Sequence, residues 1–389
     1  MSALRTRHHP WVMAFFISVL GLPATLQAAP YTPAQDDVVL MELNERQQQL
    51  AQQTRTSGEQ HRDEAAAIQL AQAQIRYSRE QEDPRFLGYA QATLAPFSDS
   101  SDPAVTILTA SIEQQRHHFS QAQTRLKQLL ARAPNQAQGW LLLANIQRVQ
   151  GQYSDAQHSC QQAAPHLSPA VTILCQASIQ AMTGHAQKAY TVLQRLADSN
   201  QHLGTDYALW LQTILAELAL QQGFADDAQR HIAQGLAIAP DDNYLHLLRS
   251  DIWLQTNQPQ RVIADLERWQ ERDGALLRLA IAGKQNGHAD ANRWANDYAQ
   301  RMQDAQDNGR TIHLREHARY LLDVAEQPNE ALKVAKENWQ KQKELADLRL
   351  LQASAKASND TATLRALQQE YAGLYDISRS NNQHSETPQ

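Results

Sequence analysis

Gly151-Gln152-Tyr153-Ser154-Asp155-Ala156 and, one unit later, Gly184-His185-Ala186-Gln187-Lys188-Ala189 decide how this chain folds. In each stretch a Gly stands five residues before a small anchor. The same interval links Gly223 to Ala228 and Gly287 to Asn292. With Ala122, Val262, Ala331 and Leu364 added, the anchors stand at 122, 156, 189, 228, 262, 292, 331 and 364. Successive spacings are 34, 33, 39, 34, 30, 39 and 33. A period in this range signals a solenoid, in which each unit buries its apolar face only against its neighbours. It also points to a binding surface rather than a pocket for chemistry.

Composition agrees. The 389 residues include only 14 Gly, too few for many tight hairpin turns. Ala, Gln, Leu and Arg, all good helix formers, dominate. The net charge of -6 is mild and spread along the chain, unlike the basic stripe of a nucleic-acid binder.

The N-terminus reads as a secretory signal over 1–28. Arg5 and Arg7 precede an apolar run from Trp11 to Leu22, short for a bilayer span, and Pro23 breaks it. Leu26-Gln27-Ala28 offers a cleavage site, with the cut after Ala28; the alternative is an uncleaved anchor. No Cys sits there to carry a lipid, and no later segment is long and apolar enough to cross a membrane. The expectation is an exported, periplasmic protein.

Residues 29–60 read as a linker with Pro30 and Pro33, then a helix opening at Asp36-Asp37 and broken at Ser57-Gly58. Residues 61–101 form a degenerate leading unit: a helix carrying Ala65, Ile68, Ala71, Ile75 and Tyr77, then a second starting at Pro84 with Ala90 as anchor. Regular units follow over 102–241 and divergent ones over 242–377. Loops are expected near Ser199 to Thr205 and Asp304 to Gly309. Residues 378–389 form a polar, disordered tail.

The unit from Ala137 to Pro169 is the clearest. Its Trp140, Leu143-Ala144, Gly151, Tyr153, Ala156 and Pro169 follow the tetratricopeptide pattern, which this chain resembles from about residue 60 to 377. Ala144, Ala156 and Ala228 let two helices approach; Gly ends the first, and Pro134 and Pro240 end the second. The resemblance implies an all-α, right-handed superhelical solenoid of about eight to nine antiparallel helix pairs. It implies a scaffold or adaptor whose first helices line a concave face that binds a protein or peptide, within an envelope or secretion assembly. No cofactor is implied.

In that register the groove-facing residues are Asn145, Arg148, Ser178, Trp210, Glu217, Tyr244, Asp251 and Lys284. Trp210 and Tyr244 also fit the core between units. The groove lacks a concentrated Lys/Arg set of the kind that clamps a C-terminal carboxylate. Cys160 and Cys175 fall on helices that pack together across a unit junction, so they read as a disulfide or as two buried thiols. His313-Leu314-Arg315-Glu316-His317 matches H-x-x-E-H, a zinc-hydrolase motif in which His313 and His317 bind metal and Glu316 acts as base. That reading demands a third ligand and a strand-containing domain; the other reading is a solvated first helix. A structural spacer with an uneventful concave face is the third possibility. Lys333, Lys336, Lys341, Lys343 and Lys356, interleaved with acids, read as a solvated helix face.

Overall fold

The computed structural model describes residues 45–60, 63–199, 203–307 and 313–371. The signal at 1–28, the helix start at Asp36-Asp37 and the tail at 378–389 lie outside them. The described residues form nineteen α-helices, three short 3-10 turns and no strand. This is the expected all-α, tetratricopeptide-like solenoid of antiparallel helix pairs.

After a leading helix, α1 (Glu45–Gln60), the helices pair in chain order. α2 (Glu64–Gln81) pairs with α3 (Arg85–Leu94), α4 (Pro103–Gln115) with α5 (Phe119–Arg132), and α6 (Ala137–Val149) with α7 (Tyr153–Ala163). α8 (Pro169–Gln180) pairs with α9 (Ala186–Asp198), α10 (Thr205–Gln221) with α11 (Ala225–Ile238), and α12 (Asn243–Gln255) with α13 (Pro259–Leu266). α14 (Asp273–Asn286) and α15 (Ala291–Asp307), α16 (Leu314–Asp323) and α17 (Pro328–Lys341), and α18 (Leu345–Ala357) and α19 (Thr361–Glu370) complete the array.

Each pair turns at a residue of positive φ. Gly151, Gly184, Gly223 and Gly287 take φ of 74°, 81°, 80° and 65°. This left-handed conformation ends a helix and suits Gly, which has no Cβ to clash. Five turns reach it without Gly, at Glu82, His117, Asn257, Glu326 and Asn359, with φ from 52° to 60°. The last four stand five residues before Ala122, Val262, Ala331 and Leu364. The periodic feature is therefore the backbone turn, not the glycine.

Five expectations need correction. Glu82 stands five residues before Leu87, so Leu87, not Ala90, holds the anchor position of the leading unit. Pro84 caps α3 rather than opening it. α1 runs through Ser57-Gly58 without a break. α15 continues to Asp307, where a loop was expected from Asp304; Gln300 donates to Asp304 and Gln303 to Asp307, both at 2.8 Å, one helical turn apart. Asn292 is exposed and anchors nothing. The close approach in that pair lies one residue earlier, where a Cβ on Gly283 would sit 3.0 Å from Ala291, and fully buried Trp294 and Tyr298 fill the space beyond.

The solenoid closes on itself. Turns of the early pairs touch helices of the late ones, up to 196 residues away in sequence. Glu82 accepts from the backbone N–H of Gly274 and the Asn243 amide, both at 2.7 Å. The Lys343 backbone N–H donates to the Val149 carbonyl at 2.6 Å, and Arg349 to the Leu220 carbonyl at 2.9 Å. Met182, at the α8–α9 turn, is buried in one cluster with Leu332, Leu348 and Leu351. The groove expected from the repeat thus becomes a central space walled by early and late pairs and partly open to solvent.

Candidate functional site: a charged central cavity

Closure leaves a central cavity of about 1790 Å³. Its walls are mainly first helices: α2, α10, α12, α14, α16 and α18 present residues to it at helical spacing, such as Ala346, Arg349, Leu350 and Ala353. Eight of its lining residues are cationic and nine are carboxylates.

Most of these charges satisfy one another. Arg278 makes a two-pronged pair with Asp251, both bonds 2.8 Å, and reaches Glu316 at 3.1 Å. Arg319 reaches the same Asp251 at 2.6 Å. Burial opposes the charge on Arg278, yet Asp251 and Glu316 outweigh it and raise its pKa. Burial likewise opposes Asp251, and Arg278 and Arg319 hold its carboxyl below the usual range. Lys284 pairs with Glu326 at 2.7 Å.

A second chain of charges crosses the closure. Arg148 donates to Glu344 at 3.1 Å. Arg315 bonds Glu344 at 2.6 Å and Asp347 at 2.5 and 2.8 Å. Burial pushes the Glu344 carboxyl up, but Arg315 and Arg148 prevail and hold it at about 2. Beside them the Tyr244 hydroxyl donates to Glu217 at 2.5 Å. Burial raises the pKa of Glu217; the hydrogen bond from Tyr244 and the charge of Arg148 lower it without cancelling the rise. Tyr244 is 46% exposed, because it faces the cavity.

Tyr244, Asp251 and Lys284 therefore line the cavity, and Arg148 and Glu217 join the charges at its edge. Trp210 does not: it packs, half-buried, against the clusters holding Cys160, Cys175 and Leu215. Ser178 turns its hydroxyl onto the Cys175 carbonyl at 2.8 Å, and Asn145 is exposed and accepts from Arg148. Cys160 and Cys175 form a disulfide with Cα atoms 5.9 Å apart, joining α7 to α8.

The H-x-x-E-H segment does not form the expected pair of ligands on one helix. His313 is the residue before α16, and its ring lies against His117 at 3.3 Å. Glu316 is engaged by Arg278, and its carboxyl sits below the usual range: burial raises it, Arg278 and Arg319 outweigh that. Among the described residues no cluster of three or more His, Cys, Asp or Glu is arranged to hold a metal. Lys343 leaves its expected solvated face: its side chain lies against Gly151 and its ammonium over the Trp339 ring. Lys341 does pair with Glu337 one turn away.

Sequence reasoning missed Arg278, Arg315, Arg319, Glu344, Asp347 and Arg349. Arg278 carried a signal, a lone charge inside the apolar run Leu276-Leu277-Arg278-Leu279-Ala280-Ile281. The others carried none, since their partners lie on distant pairs.

No protein-family model matches the chain, and no curated protein matches it. Among solved structures, the chain is similar to tetratricopeptide repeat proteins. One, from Parabacteroides merdae ATCC 43184, is 13% identical, with a TM-score of 0.37 over 73% of this chain and 98% of that one. The human IFIT1 dimer with PPP-AAAA is 12% identical, with a TM-score of 0.47 over 76% and 69%. The P58(IPK) TPR domain is 12% identical, with a TM-score of 0.23 over 82% and 99%.

Proposed function

We propose that this protein is a non-catalytic binding module that acts in the cell envelope and takes a protein or peptide segment into its central cavity. The observation that carries this is the cavity's size and character. At about 1790 Å³ it exceeds the roughly 300–1,000 Å³ of small-molecule sites. Its walls mix both signs of charge with Leu209, Leu247, Leu248 and Leu350, which suits a chain with varied side chains. A spacer has no need of such an interior. Placement in the periplasm rests on the signal-like residues 1–28.

The test fills the cavity without touching its charges. Ala353 lines it and is exposed to it, so Ala353→Trp adds bulk to a wall rather than to the core. Wild type and A353W, matched in circular dichroism, would serve as baits in envelope extract. A partner held by wild type and lost by A353W supports the proposal; a partner held equally by both places the site elsewhere. Arg148→Ala and Trp210→Ala are poorer probes, because each disturbs the fold.

A further inference from the structure

We propose, building on the peptide-cavity reading, that the ligand is an acidic segment and that Arg349 binds one of its side-chain carboxylates. The cavity's other enclosed cations are matched by carboxylates: Arg278 by Asp251 and Glu316, Arg319 by Asp251, and Arg315 by Glu344 and Asp347. Arg349 is the exception. It is half-buried in the cavity wall on α18, and among the described residues no carboxylate pairs with it. Its one partner is the Leu220 carbonyl at 2.9 Å, in the last turn of α10. That carbonyl also accepts from the Gly223 N–H.

A helix C-terminus offers a cation roughly half a negative charge. A guanidinium has five N–H donors in a fixed fork that fits a carboxylate. Arg349 thus keeps most of its donors and about half its charge uncompensated, where water is reduced. Enclosed charges in proteins are normally paired, because desolvating a lone ion is costly. Burial accordingly disfavours its charged form, with no neighbouring acid opposing this. A carboxylate carried in by the ligand would supply the missing counter-ion. Arg76 and Arg79 on α2 line the same cavity and are exposed, ready for further acidic residues. This set was not visible in the sequence, because α2 and α18 are remote along the chain.

The probe is a fluorescent penta-aspartate peptide, blocked at both ends so that only side-chain carboxylates are offered. A blocked penta-asparagine peptide is its neutral counterpart. Both are titrated into the full chain by anisotropy at low salt. Expected is binding of penta-aspartate at least about tenfold tighter than penta-asparagine, a loss of about tenfold or more in Arg349→Gln, and a partial loss in Arg349→Lys, which keeps the charge but not the fork. Arg132→Gln, at the exposed end of α5, should stay within about twofold of wild type. Equal losses in R349Q and R132Q would reduce the effect to net charge and overturn the proposal. So would unchanged binding in a folded R349Q, which would leave Arg349 as a clasp on α10. Equal binding of the two peptides would overturn the acidic preference while leaving the peptide reading standing. Binding of neither would overturn both. If R349Q does not fold, R349K against R132Q carries the same comparison.

Discussion

The pairs α4 to α11 and the pairs α12 to α19 have one backbone plan and two kinds of interior. The earlier pairs are held by small and aliphatic side chains: Ala110, Ala122, Leu126, Leu143 and Ile146 in one cluster, Ala189, Leu193, Leu215, Ala228 and Ile232 in another. Their ion pairs, Arg125–Glu113 and Arg230–Asp227, are at the surface. In the later pairs Arg278, Asp251, Arg315 and Asp347 bond one another inside the coil, and Arg272 and Arg268 stack on Trp269. A turn of positive φ sets the hairpin, and what then fills the gap between units is a separate choice. The apolar choice serves packing. The ionic choice places charge at the cavity and at the closure.

The sharpest way to break this comparison is Arg278→Met. It keeps bulk but removes the main counter-ion of Asp251 and leaves Glu316 without its nearest one. Truncating one partner of a buried ion pair typically costs about 3–5 kcal/mol. The urea midpoint should fall accordingly, with the loss lessened as pH drops and the freed carboxyls protonate. A cost below about 1 kcal/mol would mean that the later pairs stand on their apolar contacts after all.

The earlier half has its own cross-link. The disulfide closes a loop of 15 residues between α7 and α8. In the chain-entropy model a loop of this size contributes about 3 kcal/mol. The paired substitution Cys160→Ala with Cys175→Ala should lower the urea midpoint by that order. Adding reductant should lower the midpoint of wild type and leave that of the double variant unchanged.

The two halves also differ in how far they could be read from residues alone. Gly151, Gly184 and Gly223 mark three of the four earlier turns openly, His117 being the exception, and Ala144, Ala156 and Ala228 mark close approaches, so the earlier pairs were largely legible. In the later pairs Asn257, Glu326 and Asn359 adopt the same φ without a glycine to announce it. Only the interval to Val262, Ala331 and Leu364 betrays them. The cavity was legible in part. A helical period says which residues share a face, so Tyr244, Asp251 and Lys284 were found. It does not say how far the coil advances per unit, so neither the closure nor the partners of Arg148 and Arg349 could be inferred. Trp210, which fitted both groove and core, was left open for the same reason: a stripe does not name the neighbour it meets.

The closure can be sharpened through His117. Its Nε2 lies 3.3 Å from Nδ1 of His313, and Arg315, Lys341 and Glu344 also act on it. Burial first, then the neighbouring His313, Arg315 and Lys341, lower its pKa to about 4, while Glu344 opposes them. The folded state thus favours neutral His117. Its contribution is present above the unfolded value of about 6.5 and is lost as pH falls from there through about 4. With allowance for partial exposure the loss is of order 2 kcal/mol. His117→Asn tolerates the left-handed turn and does not titrate, so its stability should fall less steeply between pH 6.5 and 4. Equal slopes would show that this contact carries no pH-dependent strain.

The smallest expected effect addresses the turn itself. At Gly184 a Cβ would meet nothing within 4 Å, so Gly184→Ala isolates the backbone cost of φ 81°. That cost is about 1–2 kcal/mol for an L-residue in the left-handed region. Asn359 already sits at φ 57°, and Asn is among the few side chains that tolerate it through local hydrogen bonding. Asn359→Gly trades this tolerance against greater freedom in the unfolded chain, so it should shift stability by less than about 0.5 kcal/mol either way. Urea midpoints of the two variants compare one turn from each half. If Asn359→Gly destabilised the chain as much as Gly184→Ala, the later turn would depend on its side chain, and the backbone plan would not be common to both halves.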